Sequence, residues 1–421
     1  MKNVLKRIKK AFGPGVITGI ADDDPSGIAT YAQTGAVFGL TQLWLALYCI
    51  PFMISVQEMC GRIGMVTGKG ITTLIKSHYS KPVLFLAITL LSIANVVNIG
   101  ADVGAMSQAL AIISPLSFGV GIFIFTIFTI FTAIYIPYKI YVKCLKWFAL
   151  SVLAYVFVAF MINHDWVLIF KALVIPNFHW EKEYLINIMA MLGTTISPYL
   201  FFWQANEEIE EEIETNKLEE FGKGTPKVTR NDLKQMRTDT VIGMAASNII
   251  TFFIIITSAS LISSTPGQVI TATDLIRSLT PLAGGFSAYL FAIAIIGTGL
   301  LALPVLAGSA AYAWAEAIDE KVGLGKTFKE AKWFYVILAL VMLIGALLNV
   351  FDVNPVAMLY YSAAINGILA APLLFIIIHI ANNKRIMREN TNSKLSNILN
   401  IFIAIVMGLI ALFTIESFFR P

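Results

Sequence analysis

Three successive aspartates and a proline lie in the middle of the first apolar stretch, AFGPGVITGIADDDPSGIATYAQTGAVFGL. Each flanking apolar piece is about ten residues, half the roughly 20 that a spanning helix needs, so neither half crosses a bilayer alone. An aspartate inside a membrane costs several kcal/mol, on the order of 3 or more, unless it faces protein or water. Asp22, Asp23 and Asp24 are therefore expected to line a polar cavity. Pro25 lacks an N–H and displaces the helix at the carbonyl of Ala21, while it drives Asp24 toward extended geometry. Gly27 lets the chain re-enter a helix after the turn. A carbonyl freed inside a membrane needs a partner, and a cation is one. The alternative is that DDDPSG forms a surface loop between two short helices, and that TTISP in the sixth segment is an ordinary proline kink.

The rest of the chain fits a protein solvated by lipid. Of 421 residues 57% are hydrophobic and 13% charged, with a mean hydropathy of +0.77, against roughly 25% charged in soluble domains. Apolar segments are expected at about 12–39, 41–61, 83–112, 118–137, 144–163, 186–206, 240–263, 284–312, 333–350, 354–381 and 397–417. This is an all-α membrane protein of eleven helices, read as a single transmembrane domain. MKNVLKRIKK runs into the first segment with no small-residue cleavage site, so no cleavable signal is expected. With the N-terminus cytoplasmic, 26 of the 30 basic residues fall inside, leaving Lys171, Lys182, Arg277 and Arg420 outside. Such a bias predicts a cell-membrane protein with a cytoplasmic N-terminus and an extracellular C-terminus. It also explains the net charge of +4 without a nucleic-acid partner.

The sixth segment contains a second interruption, MLGTTISPYLFFWQ, in which Pro198 frees the carbonyl of Thr194 and Ser197 sets a hydroxyl beside the break. The two breaks correspond if segments 1 to 5 and 6 to 10 are halves of one repeat. Five helices per half gives the halves opposite topology, the pattern of a LeuT-type 5+5 inverted repeat with its site at the paired discontinuous helices. Repeat one is expected over about 12–163, repeat two over about 186–381, and an extra helix over about 397–417.

Other polar features read more plainly. The 205–239 connection opens with Glu207, Glu208, Glu210, Glu211, Glu212 and Glu214, expected to form a solvated face, with a cytoplasmic ion-attracting or regulatory role as the alternative. Glu58 and Arg62, four apart, are expected to form a structural ion pair, with a gate contact as the alternative. Asn366 points either to the ion or to an interhelical hydrogen bond. His78, His164 and His179 fall in expected loops and His379 near a helix end. Cys49, Cys60 and Cys144 lack metal-ligand spacing and are read as free thiols. No HExxH, no phosphate-binding glycine loop and no nucleophile–base pair marks an enzyme.

The two interrupted segments resemble the metal-binding helices of the Nramp family of divalent metal transporters. Asp24, Pro25, Ser26 and Gly27 match that family's Asp-Pro-Gly-Asn motif, after the family-like GPGVITGIAD. Thr194, Ser197, Pro198 and Tyr199 match its alanine, methionine, proline and histidine. GRIGMVTGKG after the second segment and NPVAMLYYSAAINGILAAP in the tenth extend the likeness. Serine in place of methionine, with GTTISPYLFFWQ, is similar to the Nramp-related magnesium transporter branch. Thioethers select softer metals, whereas oxygen donors suit Mg²⁺ and Mn²⁺.

The resemblance implies a metal site made by Asp24, the carbonyls of Ala21 and Thr194, and Ser197, with Asp23 adding negative potential and Gly27 leaving room for retained waters. Asn98 and Ala101 stand where proton-coupled members have acids, and Tyr199 where they have histidine. Uncoupled uptake of Mg²⁺ or Mn²⁺ by alternating access is the expectation, with no cofactor. Asp102, beside Ala101, is expected to be structural or cavity-lining. Were it a relay, the alternative is a proton-coupled Mn²⁺/Fe²⁺ importer. An organic-substrate symporter of the same fold is a further alternative, disfavoured because three aspartates repel a substrate carboxylate.

Overall fold

The computed structural model describes residues 13–138, 140, 141, 143, 147, 150–262, 264–351 and 353–419. Lys139, Cys144, Lys146, Arg420 and the basic residues 2–10 therefore lie outside the described residues. The first apolar segment folds as two helices, α1 (Pro14–Asp22) and α2 (Pro25–Phe38). They are followed by α3 (Trp44–Thr67), the short α4 (Ile71–His78), α5 (Lys81–Ile113) and α6 (Phe118–Tyr135). The fifth expected segment lies partly outside the described residues. Its visible part is a 3₁₀ turn at Leu150–Leu153 leading into α7 (Ala154–Met161), and a short α8 (Trp166–Val174) follows.

The second half opens, like the first, with a divided helix: α9 (Lys182–Thr195) and α10 (Pro198–Glu214). Then come α11 (Arg230–Leu261), α12 (Ala272–Ala283), α13 (Ser287–Ala317), α14 (Lys332–Leu347), α15 (Pro355–Asn382), a turn of helix α16 (Lys384–Met387) and α17 (Lys394–Phe419). Among the described residues, nine helical stretches are long and apolar enough to cross a membrane. The divided first segment adds two pieces of 9 and 14 residues.

Three local expectations are corrected. The 205–239 connection is shorter than expected, because α10 continues to Glu214 and α11 begins at Arg230. Thr229 and Asp232 cap the start of α11 reciprocally, each side chain meeting the other's backbone N–H. The acidic run is not a solvated face: Glu207, Glu208 and Glu212 are buried. Glu208 and Glu212 are one helical turn apart, on the side of α10 that faces the bundle. His78 ends a helix and does not sit in a loop.

Close backbone approach, not hydrophobicity alone, packs the divided helices, as expected where lipid is as apolar as the side chains. A Cβ at Gly243 of α11 would come within 2.2 Å of the Gly15 carbonyl oxygen in α1. A Cβ at Gly193 of α9 would come within 1.9 Å of the Ala363 carbonyl oxygen in α15. Arg62 braces α3 elsewhere: it pairs with Glu58 at 2.9 Å and donates to the carbonyl of Asn390 and the side chain of Asn392.

Gly193→Val should force α9 from α15 at an overpacking cost of about 1–3 kcal/mol. The expected outcome is a lower melting temperature of the detergent-purified protein. An unchanged melting temperature would show that these backbones are not in contact.

Candidate metal site at the paired helix breaks

Each break is built by its proline. α1 ends at Asp22, Asp23 takes φ −85° and ψ 52°, and Asp24 is extended with ψ 173°. Asp24 then caps α2, with one carboxylate oxygen accepting from the Gly27 N–H at 2.8 Å and the Ser26 hydroxyl at 2.6 Å. Pro25 fills the first helical position, where its missing N–H costs nothing. In the second break, Ile196 closes α9 and Ser197, with ψ 139°, precedes Pro198 at the start of α10. The surface-loop alternative for DDDPSG fails, because Asp22, Asp23 and Asp24 are all buried.

The breaks face one another. A Cβ on Gly27 would stand 3.2 Å from the Thr194 hydroxyl oxygen. The hydroxyl of Tyr199, on α10, donates to the carbonyl of Ala21 at 3.0 Å. That is the carbonyl orphaned by Pro25. Ser197 lies 2.9 Å from the Thr194 carbonyl, orphaned by Pro198, and 2.6 Å from that of Gly193. Its single hydrogen serves one of the two. The Ala21 carbonyl is thus met by a hydroxyl and that of Thr194 lies within reach of one, while the hydroxyl of Thr194 has no protein partner.

A polar chain from two other helices aims the carboxylate. Asn366 of α15 donates to the Oδ1 of Asn98 at 3.2 Å, and Asn98 of α5 donates to the second oxygen of Asp24 at 2.9 Å. Asn366 therefore makes the interhelical hydrogen bond. Asp102, one turn beyond Asn98, is fully buried with neither oxygen partnered. On α11, Ser247 lies 2.7 Å from Asp22 and 3.0 Å from Asp23, again with one hydrogen for two acceptors.

Among the described residues, no lysine or arginine forms an ion pair with Asp22, Asp23, Asp24 or Asp102. Buried carboxylates demand a compensating charge or a proton. A cation between the breaks would meet Asp24 together with carbonyl and hydroxyl oxygens. Among the described residues no three His, Cys, Asp or Glu side chains are grouped to hold a metal, so one carboxylate assisted by neutral oxygens is what this geometry offers. Cys49 of α3 is a buried free thiol. The histidines are elsewhere: His379 meets the Tyr79 hydroxyl at 2.6 Å and His78 the Leu74 carbonyl at 3.1 Å.

Asn98, Tyr199 and Ser247 hold roles that motif reading missed. Asn98 was legible only as a lost acid, although its spacing from Asp102 puts both on one helix face. Ser247 had no distinguishing signal, because serines in apolar helices ordinarily return their proton to a carbonyl one turn back.

Two divided helices with apposed interruptions, among helices long and apolar enough to cross a membrane, define an all-α, multi-span membrane fold. Comparison with known proteins agrees. The manganese transporter of Eremococcus coleocola, crystallised with an aromatic bis-isothiourea compound, superposes with TM-score 0.77 at 15% identity, over 99% of this chain and 89% of that one. MhsT in complex with L-phenylalanine superposes with TM-score 0.60 at 11% identity, over 96% and 98%. The chain belongs to the Nramp family: residues 15–417 match the family described as natural resistance-associated macrophage protein-like. The divalent metal cation transporter MntH of Bacillus subtilis (strain 168) is 24% identical over 97% of this chain and 92% of its own length. That of Granulibacter bethesdensis is 23% identical over 96% and 88%.

Asn98→Leu removes the donor that orients Asp24. Loss of such an orienting partner costs about 10–100-fold in metal affinity. Mn²⁺ titration of the purified variant should show a loss in that range, and affinity equal to wild type would deny Asn98 the role.

Proposed function

We propose that this protein carries divalent metal ions across a membrane through the paired breaks. One observation supports the reading above all: the buried Asp24 caps one half-helix at a break that Tyr199 of the opposing half-helix bridges through the Ala21 carbonyl, and among the described residues no lysine or arginine pairs with it. The named relatives are a manganese transporter and divalent metal cation transporters, which favours Mn²⁺ as a substrate. Ser197 in the position of the family's methionine favours harder ions and adds Mg²⁺. Asp24 serves as the charged ligand, the carbonyls of Ala21 and Thr194 and the hydroxyl of Ser197 as neutral ligands, and Gly27 leaves room for water. Asp23 deepens the negative potential. The ion keeps several waters, as Mg²⁺ requires.

In this reading the chain is one domain of two inverted repeats, about 12–163 and 186–381, with an extra helix at about 397–417. The N-terminus is cytoplasmic, and the repeats rock around the site. Transport is uncoupled, because Asn98, Ala101 and Tyr199 cannot take up protons as the corresponding acids and histidine would. A divalent ion gains about 4.6 kcal/mol per 100 mV of inside-negative potential, twice the single-charge value, and needs no proton to drive it.

The second reading, a proton-coupled importer of Mn²⁺ or Fe²⁺, draws on the relatives' names and on the unpartnered carboxyl of Asp102. Liposomes with separate Mg²⁺, Mn²⁺ and pH reporters discriminate. Uptake of both ions without internal acidification is expected. Acidification that tracks Mn²⁺ entry and disappears in Asp102→Asn, with no Mg²⁺ uptake, would establish the second reading instead. Asp24→Ala should abolish uptake, and Ser197→Met should raise Cd²⁺ uptake relative to Mg²⁺. Undiminished uptake by the Asp24 variant would remove the ion from the breaks.

A further inference from the structure

A second concentration of carboxylate lies at the far end of α10. Glu208 and Glu212 line a cavity of about 50 Å³ with Asp232 and Asp239 of α11, and Gly13 and Pro14 at the foot of α1 close it. A neighbouring cavity of about 380 Å³ shares Gly13, Pro14 and Glu211 with the first. Among the described lining residues, Lys217 is the one basic side chain, and Asp232 holds it at 2.8 Å. Acidic surface alone is ordinary solvated face.

Glu212 is different. It is 1% exposed, and neither of its carboxylate oxygens has a hydrogen-bond partner. Its neighbours are committed. Asp239 accepts the backbone N–H groups of Gly13 at 3.3 Å, Gly15 at 2.9 Å and Val16 at 3.4 Å, anchoring the first turn of α1. Glu208 accepts from the Gln204 amide at 2.8 Å, and Gln204 in turn meets the Thr18 hydroxyl of α1. Lys217 is the nearby positive charge that acts on Glu212, but it is already paired with Asp232, so a carboxylate left without a donor would gain further compensation from a cation in the cavity. No three acidic side chains converge as direct ligands among the described residues. An ion there must keep most of its water, which is how Mg²⁺ binds to one or two carboxylates.

We propose that this vestibule is a second divalent-cation site, in which Glu212 and Glu208 hold hydrated Mg²⁺ or Mn²⁺ against the foot of α1. Only the identity of the ion rests on the transport reading given above. The site adjoins the half-helix that ends at the central aspartates, so its occupant touches the element that must move for the central ion to leave.

Mn²⁺ binding by the full-length purified protein tests this, with free Mn²⁺ measured by electron paramagnetic resonance after equilibrium dialysis. Asp24→Ala should retain one bound Mn²⁺ with the spectrum of a largely hydrated ion. Asp24→Ala combined with Glu212→Gln should weaken that binding by at least about tenfold, since affinity follows ligand charge. If the Glu212 variant does not purify as a folded protein, Glu208→Gln in the same background is read identically. No Mn²⁺ on Asp24→Ala, or undiminished binding in the combined variants, overturns the proposal. Failure of the transport reading is a separate outcome: wild-type protein that moves no metal into liposomes, while Asp24→Ala still binds Mn²⁺ through Glu212, leaves the vestibule site standing.

Discussion

Everything in this fold depends on interrupting two helices inside a medium that forgives no orphaned backbone group. A continuous helix satisfies its own carbonyls; a proline at the centre leaves one without a partner, and lipid supplies none. The chain answers locally at each break, with Tyr199 donating to Ala21 and Ser197 to the backbone beside Thr194. Those hydroxyls are weak, replaceable partners. A cation that draws the same carbonyl oxygens to itself need displace only a neutral hydrogen bond, worth about 0.5–1.5 kcal/mol net.

Holding two breaks face to face requires rigid surroundings. Glycine contacts bring α1 against α11 and α9 against α15 at backbone distance, so each half-helix is positioned by main chain and not by mobile side chains. The Asn366–Asn98–Asp24 chain adds direction. An amide carries no charge to be neutralised, so it can orient the aspartate without competing with a metal for it. An acid at the position of Asn98 would add charge beside Asp24 and a second proton-binding group; asparagine keeps the hydrogen bond and drops both.

Much of this was legible in the residues. Proline in the middle of an apolar segment forced both breaks, with aspartates marking the first, and the boundaries at Asp22–Pro25 and Thr195–Pro198 fall where the missing N–H groups put them. The i, i+4 pair of Glu58 and Arg62 was equally readable, because helical spacing alone brings the two together. The acidic run after the sixth segment was misjudged for a physical reason. Charge density suggests solvent, but a helix already anchored by an apolar face carries its later residues on that face regardless of their chemistry. Glu208 and Glu212 were thus drawn under neighbouring helices. Partners distant in sequence, such as Ser247 with Asp22 and Asp23, had no local signature, since only packing decides which of many small polar residues meets the site.

On the proposed function, the position of Ser197 would bear on ion choice in a way that goes beyond swapping sulfur for oxygen. Its hydroxyl faces the backbone of its own helix, 2.6 Å from Gly193 and 2.9 Å from Thr194, and a short side chain so engaged does not project far across the break. Methionine at the same position would reach outward with a polarisable ligand and require an ion stripped of water to meet it. Serine leaves that space to water. An ion that sheds its hydration shell reluctantly gains from such space, whereas a soft ion loses the contact that would select it. On the proposed function, discrimination would be set by how much water the breaks admit, with ligand softness acting in the same direction.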